Sequence, residues 1–362
     1  MKLNGRVINQ LSENYDWIIR FGGGPNAGHT LYYNDIKMVR NMLPSTDFSK
    51  KWTKSLLTSN MVLEPNDLLD EIKASETLFP GCSKRIYIDP EATVILPEHK
   101  QEDRNQNKHI GTTGKGITPA YLSKYNRCAT RILDLLKNKH EAIVAMQELG
   151  VNFKYVNELG LKNDRCLFEG AQGLLLNIHY GTYPFVTSSD TGIGGIYNSG
   201  IAVKLDEVLA VSKIYSTRVG EGVYPTEIFG QEAEDLRKLG NEYGAVTGRP
   251  RRVGYLDLPA LNYAKIKSGL TSIALTKFDI VSSMKSIKVC TSYSNLPGGR
   301  IDPACSEDFF VAKPNYTTVD ILQDKDPKIA FKAVFDLIYK VTGLKTKYIT
   351  NGVNPPDFFE LK

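Results

Sequence analysis

The sequence predicts an α/β protein built on a large, mostly parallel central sheet flanked by helices. Short apolar runs bounded by turn residues recur along the chain, and segments with helical spacing stand between them. Glycine-bearing loops fall just beyond several of those runs, where ligands sit in open parallel sheets.

In chain order, Trp17-Ile18-Ile19-Arg20, Arg85-Ile86-Tyr87-Ile88, Cys166-Leu167-Phe168-Glu169, Val208-Leu209-Ala210-Val211 and Ile273-Ala274-Leu275-Thr276 read as buried strands. Their near-continuous apolar character suits a sheet covered on both faces. Between them, Arg131 to Leu149 and Pro327 to Thr342 carry apolar residues three and four apart, as amphipathic helices do. Asn295 to Asp326, with its Pro-Gly-Gly turn and scattered charges, reads as a loop-rich surface excursion. No internal repeat or low-complexity segment interrupts this order.

Composition narrows the function classes. With 362 residues, 41% hydrophobic and 23% charged, the chain has ample material for a large core, in one large domain or two. A net charge of +5 from 45 basic and 40 acidic residues, with no Lys/Arg block, suits a local anionic pocket rather than a nucleic-acid surface. Cys82, Cys128, Cys166, Cys290 and Cys305 form no CxxC pair and are odd in number, which indicates a reducing, intracellular compartment. No apolar run approaches the roughly 20 residues of a membrane span, and Met1 to Arg6 lacks a signal-peptide core. The expectation is a soluble, cytoplasmic protein.

Five loop segments and one strand end carry chemistry. In Gly22-Gly23-Gly24-Pro25-Asn26-Ala27-Gly28-His29-Thr30, glycines let backbone N–H groups approach phosphate oxygens, and Thr30 adds a hydroxyl. His29 is either a proton donor to developing phosphate charge or a structural histidine in a turn. Gly111-Thr112-Thr113-Gly114-Lys115-Gly116 resembles part of a phosphate loop without the Walker A spacing; a flexible surface loop is the alternative. Arg127 falls on what reads as a helix.

Glu169-Gly170-Ala171-Gln172-Gly173 puts an amide on a glycine turn after a strand, placed to bond a base carbonyl or to cap the turn. Thr187, Ser188 and Ser189 either bind phosphate or cap the next helix. Thr247-Gly248-Arg249-Pro250-Arg251-Arg252 concentrates guanidinium groups that bind carboxylate or phosphate two bonds at a time. Lys277 and Asp279, two apart at a strand end, share a side. They are a plain ion pair or a guanine pocket, the Asp taking the ring N–H and exocyclic amine.

These motifs together resemble the adenylosuccinate synthetase family. They are GGPNAGHT, GTTGKGITPAY, EGAQGLLLNIHYGTYPFVTSS, STRVGEGVYPTE, GAVTGRPRRVGYLD and LTKFD. The likeness runs from about Gly5 to Gly352, and the compact length is similar to archaeal and phage forms. It implies a P-loop-NTPase-like architecture, a single domain over residues 1–362, and purine biosynthesis by GTP-dependent ligation of L-aspartate to IMP through a 6-phosphoryl-IMP intermediate. By that resemblance His29 is the acid and Gln172 the second catalytic residue. Asn26, Thr113, Arg127, Gln172, Thr187 and Arg249 hold IMP, and Thr247, Arg249 and Arg251 hold aspartate. Thr30, Arg251, Lys277, Asp279, Thr350 and Gly352 hold GTP, while the Gly28 carbonyl ligates Mg2+. A homodimer is implied too, with Arg127 reaching the partner's site.

One departure is large. The family opens with a strand and a GDEGKGK loop, whose Asp acts as general base and binds Mg2+. Lining up Gly5-Arg6-Val7-Ile8 with the end of that loop puts Met1 at the Asp and Asn4 at the phosphate-binding Lys. Three expectations stand side by side: a start set downstream of the true one, a non-catalytic nucleotide-binding remnant, or a phage-type paralogue that couples aspartate to dGMP. Pro25, Val246 and Asp190 are smaller departures, at positions where the family often has His, Thr and Asn.

Overall fold

Trp17–Arg20 is buried along its whole length and pairs in parallel on both edges, with Lys54–Leu57 and with Cys166–Glu169. The computed structural model describes residues 4–33, 36–106, 111–244, 248, 250–324, 326–352 and 358–361. The chain divides into two compact units, Met1–His179 with Val186–Lys204, and Tyr180–Phe185 with Leu205–Lys362.

In the first unit a five-stranded, all-parallel sheet runs in the order Asn152–Phe153, Ile86–Ile88, Lys54–Leu57, Trp17–Arg20, Cys166–Glu169. Helix Pro65–Leu78 starts where a proline at its first turn and the Glu64 carboxylate, accepting from the Asp67 N–H, satisfy its free end. It buries Leu68, Leu69 and Ile72 in a core with Met42, Leu43, Leu57, Ile86 and Ile88. Helix Asn4–Leu11 buries Val7 and Ile8. The register sets Arg20 beside Glu169, so the loops that follow these two residues leave adjacent parallel strands at their carboxyl ends.

The second unit holds two four-stranded sheets. One is Leu209–Lys213, Ser272–Thr276, Lys345–Thr350 and Phe358–Glu360, parallel except for the last pairing. The other is Tyr215–Arg218, Arg252–Asp257, Ser286–Ser294 and Lys313–Asp320, with two antiparallel pairings and one parallel. Ile273, Leu275, Phe278, Phe331, Val334, Ile338 and Ile349 make its core. Lys213, Thr276 and Thr350 end three neighbouring strands.

The α/β class with mostly parallel pairing holds, and several element boundaries move. The helical span Arg131 to Leu149 is two helices, Ile132–Lys137 and Glu141–Glu148, parted where Lys139 takes a φ of +50°. Pro327 to Thr342 is likewise Pro327–Ala330 and Lys332–Thr342. The supposed loop excursion Asn295 to Asp326 contains strand Lys313–Asp320, paired antiparallel with Ser286–Ser294. Among the described residues no helix is long and apolar enough to cross a membrane.

Candidate active site

The first unit brings together three of the residues expected to hold the purine nucleotide, Asn26, Gln172 and Thr187. The loop after Trp17–Arg20 carries Asn26, and the loop after Cys166–Glu169 carries Gln172. Gln172 Nε2 donates to Asn26 Oδ1 at 2.9 Å, and Asn26 Nδ2 donates to Thr187 Oγ1 at 3.5 Å. Asn26 thus meets two residues that lie more than a hundred positions further along the chain. Gly23 makes this possible: its φ is +74°, and a Cβ there would lie 3.2 Å from Gln172 Oε1. Ser188 joins the same loop to helix Ile117–Tyr125 by a 2.8 Å hydrogen bond with Thr118. The Thr187–Ser189 hydroxyls do not cap the helix that follows, Gly194–Tyr197, whose N-cap is Ile193.

His29 opens strand His29–Tyr33 and is wholly buried. Its Nδ1 pairs with Glu169 Oε1 in a short hydrogen bond. The same carboxylate accepts from Ser45 Oγ and from the Ser45 N–H, each at 2.7 Å. Burial pushes the Glu169 carboxyl up, but His29, Arg20 and the Ser45 N–H outweigh it and hold it at about 2. An ionised Glu169 accepts only, so His29 Nδ1 is the donor and Nε2 is the free end of the ring. Burial drives the imidazole below its ordinary value, against the pull of Glu169. Gly5 lets helix Asn4–Leu11 pack here, since a Cβ would lie 2.8 Å from both His29 Cβ and Ser45 Oγ. Glu169 and Ser45 were not foreseen as site residues; the glutamate stands at a strand end, the one signal pointing to it.

Gly28 is buried just before His29, and Thr113 is half-buried on its loop. That loop is organised by Asp103, which accepts from Thr112 Oγ1 and the Gly116 N–H at 2.9 Å each. Arg127 is not on a helix. Helix Ile117–Tyr125 ends with Asn126 as its C-cap, and Arg127 follows exposed, with a φ of +63°.

The second unit holds the remaining expected residues. Arg251 is buried, with Nη1 donating to Glu242 Oε2 at 2.9 Å. Glu242 also receives Lys213 Nζ on both oxygens at 2.8 Å and Tyr215 OH at 2.6 Å. Lys277 and Asp279 do not share the side of a strand. The strand stops at Thr276, Lys277 turns the chain with a φ of +71°, and Asp279 lies exposed in the short helix Phe278–Val281. Lys277 Nζ donates to the Gly240 carbonyl at 3.0 Å. Thr350 ends its strand buried, and Gly352 takes a φ of +152° that favours glycine. Thr247, Arg249 and Val246 lie outside the described residues.

Buried polar atoms without partners are rare in folded proteins. Among the described residues His29 Nε2, Thr30 Oγ1, Ser189 Oγ, Arg251 Nε and Thr350 Oγ1 are such atoms. Four of these five residues are ones the sequence marks as ligand-binding; Arg20, Arg40, Asn41, Arg237, Ser268, Thr346 and Asn351, which it does not mark, carry such atoms too. Donors and acceptors poised without a protein partner are what a bound nucleotide would complete.

The comparisons with known proteins converge. A family model described as adenylosuccinate synthetase matches residues 4–152 and 146–352. The adenylosuccinate synthetase of Petrotoga mobilis is 43% identical over 387 aligned positions, covering 96% of this chain and 92% of that protein. That of Thermotoga maritima is 38% identical, covering 99% and 96%. Among solved structures, the fully ligated adenylosuccinate synthetase from Plasmodium falciparum superposes with a TM-score of 0.87 at 30% identity, covering 100% of this chain and 97% of its own. A cyanophage S-2L succinoaminodeoxyadenylate synthetase bound to dGMP and dATP has a TM-score of 0.72 at 20% identity, a likeness of fold alone.

Proposed function

The chain belongs to the adenylosuccinate synthetase family, and from that premise we propose that it ligates L-aspartate to IMP, with GTP as phosphoryl donor, giving adenylosuccinate, GDP and phosphate. In the first step O6 of IMP takes the γ-phosphoryl group of GTP. In the second the aspartate amine attacks C6, and that phosphate leaves. The observation that carries the reading, beside the family match, is the set of partnerless buried polar atoms on residues expected to bind nucleotide.

The residues fit their roles. His29 is held by Glu169 with Nε2 free, so an arriving phosphate adds its charge to the pull of Glu169 and restores the imidazolium. The ring then donates to the β-phosphate as bridging charge develops. Gln172 Nε2 has two N–H groups; one serves Asn26 and the other is available to O6 of the base. Asn26, Thr113 and Thr187 bind the IMP phosphate region, with Arg127 of a partner protomer and Arg249. Thr247, Arg249 and Arg251 take the aspartate carboxylates. Thr30, Arg251, Lys277, Asp279, Thr350 and Gly352 serve GTP, the exposed Asp279 accepting from two guanine N–H groups that adenine lacks. The chain acts as a homodimer.

Mg2+ fits this donor set. It prefers hard oxygen ligands and commonly takes only one or two from the protein, with phosphates and water completing its octahedron. The described residues contain no cluster of three His, Cys, Asp or Glu side chains that could hold a metal alone, and the Gly28 carbonyl would supply one such oxygen. When bound, the ion would neutralise phosphate charge. The position aligned with the family's general base, Met1, lies outside the described residues, and no step is assigned to it.

Phosphate release with GTP, IMP and aspartate together tests the reading, with adenylosuccinate identified by its absorbance. Expected are dependence on all three substrates and at least about a hundredfold loss when ATP replaces GTP. Equal turnover with ATP, or with dGMP in place of IMP, would overturn the assignment.

A further inference from the structure

The second unit buries a cluster whose charges do not balance. Glu242 is 1% exposed and meets two cations, Lys213 and Arg251. Lys213 Nζ on both oxygens, Tyr215 OH on Oε1 and Arg251 Nη1 on Oε2 fill the acceptor sites of one carboxylate. One anion between two cations leaves a net positive charge out of water, which is unfavourable until a second anion arrives. The geometry says where it would bind. Glu242 takes Nη1 of the Arg251 fork, and the backbone N–H of Arg251 donates to the Glu242 carbonyl at 2.8 Å. Nε is buried without a partner among the described residues. Guanidinium groups bind oxyanions through paired N–H groups, so the Nε side is the vacant fork.

The support for Glu242 is itself built. A Cβ on Gly240 would lie 2.4 Å from Tyr215 OH and 3.1 Å from Glu242 Cγ, so the absence of a side chain at Gly240 admits the tyrosine to the carboxylate. The Gly240 carbonyl receives Lys277 Nζ at 3.0 Å, tying the cluster to a residue expected at the guanine. We propose that Glu242, held by Lys213 and Tyr215, is a positioning residue that fixes the Arg251 guanidinium with its Nε side toward an incoming oxyanion, a substrate carboxylate or a nucleotide phosphate. The proposal rests on reading Arg251 as a substrate arginine.

Glu242→Gln keeps the side chain's size and removes its charge. KM for aspartate or for GTP should rise about tenfold while KM for IMP changes less than about twofold, since an ion cluster that only stabilises the fold would not separate the substrates. A rise for aspartate identifies the anion as a carboxylate, a rise for GTP as a phosphate. The effect should vanish in an Arg251→Lys background, because coupled residues are non-additive. Tyr215→Phe and Gly240→Ala should act in the same direction but less, and they carry the test should Glu242→Gln fail to fold. Unchanged constants for aspartate and GTP, or a full effect that persists with Arg251→Lys, would overturn the proposal. Calorimetric binding of GDP and of aspartate separates the two readings. A wild-type chain without turnover sinks the synthetase assignment, whereas GDP and aspartate affinities untouched by Glu242→Gln sink the role of Glu242.

Discussion

His29 and Glu169 show how burial and pairing divide the work between two titratable groups. Glu169 stays ionised because it accepts from Ser45 twice and faces both His29 and Arg20. Replacing it with glutamine leaves a hydrogen-bonding partner but removes the charge that favours the imidazolium. Glu169→Gln should therefore lower kcat by about a hundredfold and leave KM for IMP nearly unchanged, with His29→Ala at least as severe, since a positioned acid contributes about 10²–10⁴. A Glu169→Gln variant of full activity would refute the assignment. The same carboxylate makes a statement about stability. Its pKa is near 2 in the folded chain against an ordinary 4.5, so the unfolded chain binds more protons in acid. Its stabilisation is complete above about pH 5 and is lost as pH falls toward 2. Urea midpoints measured from pH 6 down should fall more gently in Glu169→Gln; an identical slope would show that another group is responsible. Glu242, also held at about 2 against burial by Lys213 and Tyr215, keeps the variant's slope from vanishing.

At the scale of elements, helix Leu258–Ser268 illustrates a charge kept against its own preference. Asp257 caps it by accepting from the Ala260 N–H at 3.1 Å and takes Tyr293 OH at 2.6 Å. Burial nonetheless pushes its carboxyl up to about 6 from 3.8. Here the folded chain binds the extra proton, so stability declines as pH rises between those values. At pH 7 an asparagine should serve nearly as well, while Asp257→Ala should cost about 1–3 kcal/mol through the lost cap and an unpaired tyrosine hydroxyl. Equal losses for Asn and Ala in urea titrations would refute this. How far such elements can be read from sequence depends on burial. Trp17–Arg20 coincides with its apolar run, because a strand inside a covered parallel sheet is apolar almost throughout; Cys166–Glu169, paired on one edge only among the described residues, coincides with its run as well. Lys313–Asp320 escaped notice because its residues are nearly all exposed and show no alternation. The break at Lys139 escaped too, as apolar spacing continues across it while the backbone reverses at a single positive φ. At the site, Gln172 and Thr187 were legible on their loops, and Asn26 only through the family resemblance. The contacts of Glu169 with His29 and of Glu242 with Arg251 form only through tertiary structure that no local spacing announces.

For the whole molecule, the outstanding expectation is the homodimer in which each protomer lends Arg127 to the other's site. Arg127 suits an outward role. It is exposed just past the end of helix Ile117–Tyr125, and a φ of +63° is an uncommon conformation for a residue bearing a side chain. Leu122 and Tyr125 on that helix are 50% and 74% exposed, apolar surface that a partner would cover. A mixing experiment separates lending from local use. Arg127→Ala and His29→Ala should each be nearly inactive alone. In a twofold dimer that exchanges subunits, the hybrid has one site with His29 from one protomer and Arg127 from the other, both native, and one site with neither. Random reassociation at equal amounts makes half the dimers hybrid, so activity should return to about one quarter of wild type. If Arg127 instead serves its own protomer, every site in every dimer lacks one group and mixing restores nothing. Sedimentation of the wild-type chain at assay concentration completes the test, because a monomer with full activity removes the partner from the mechanism.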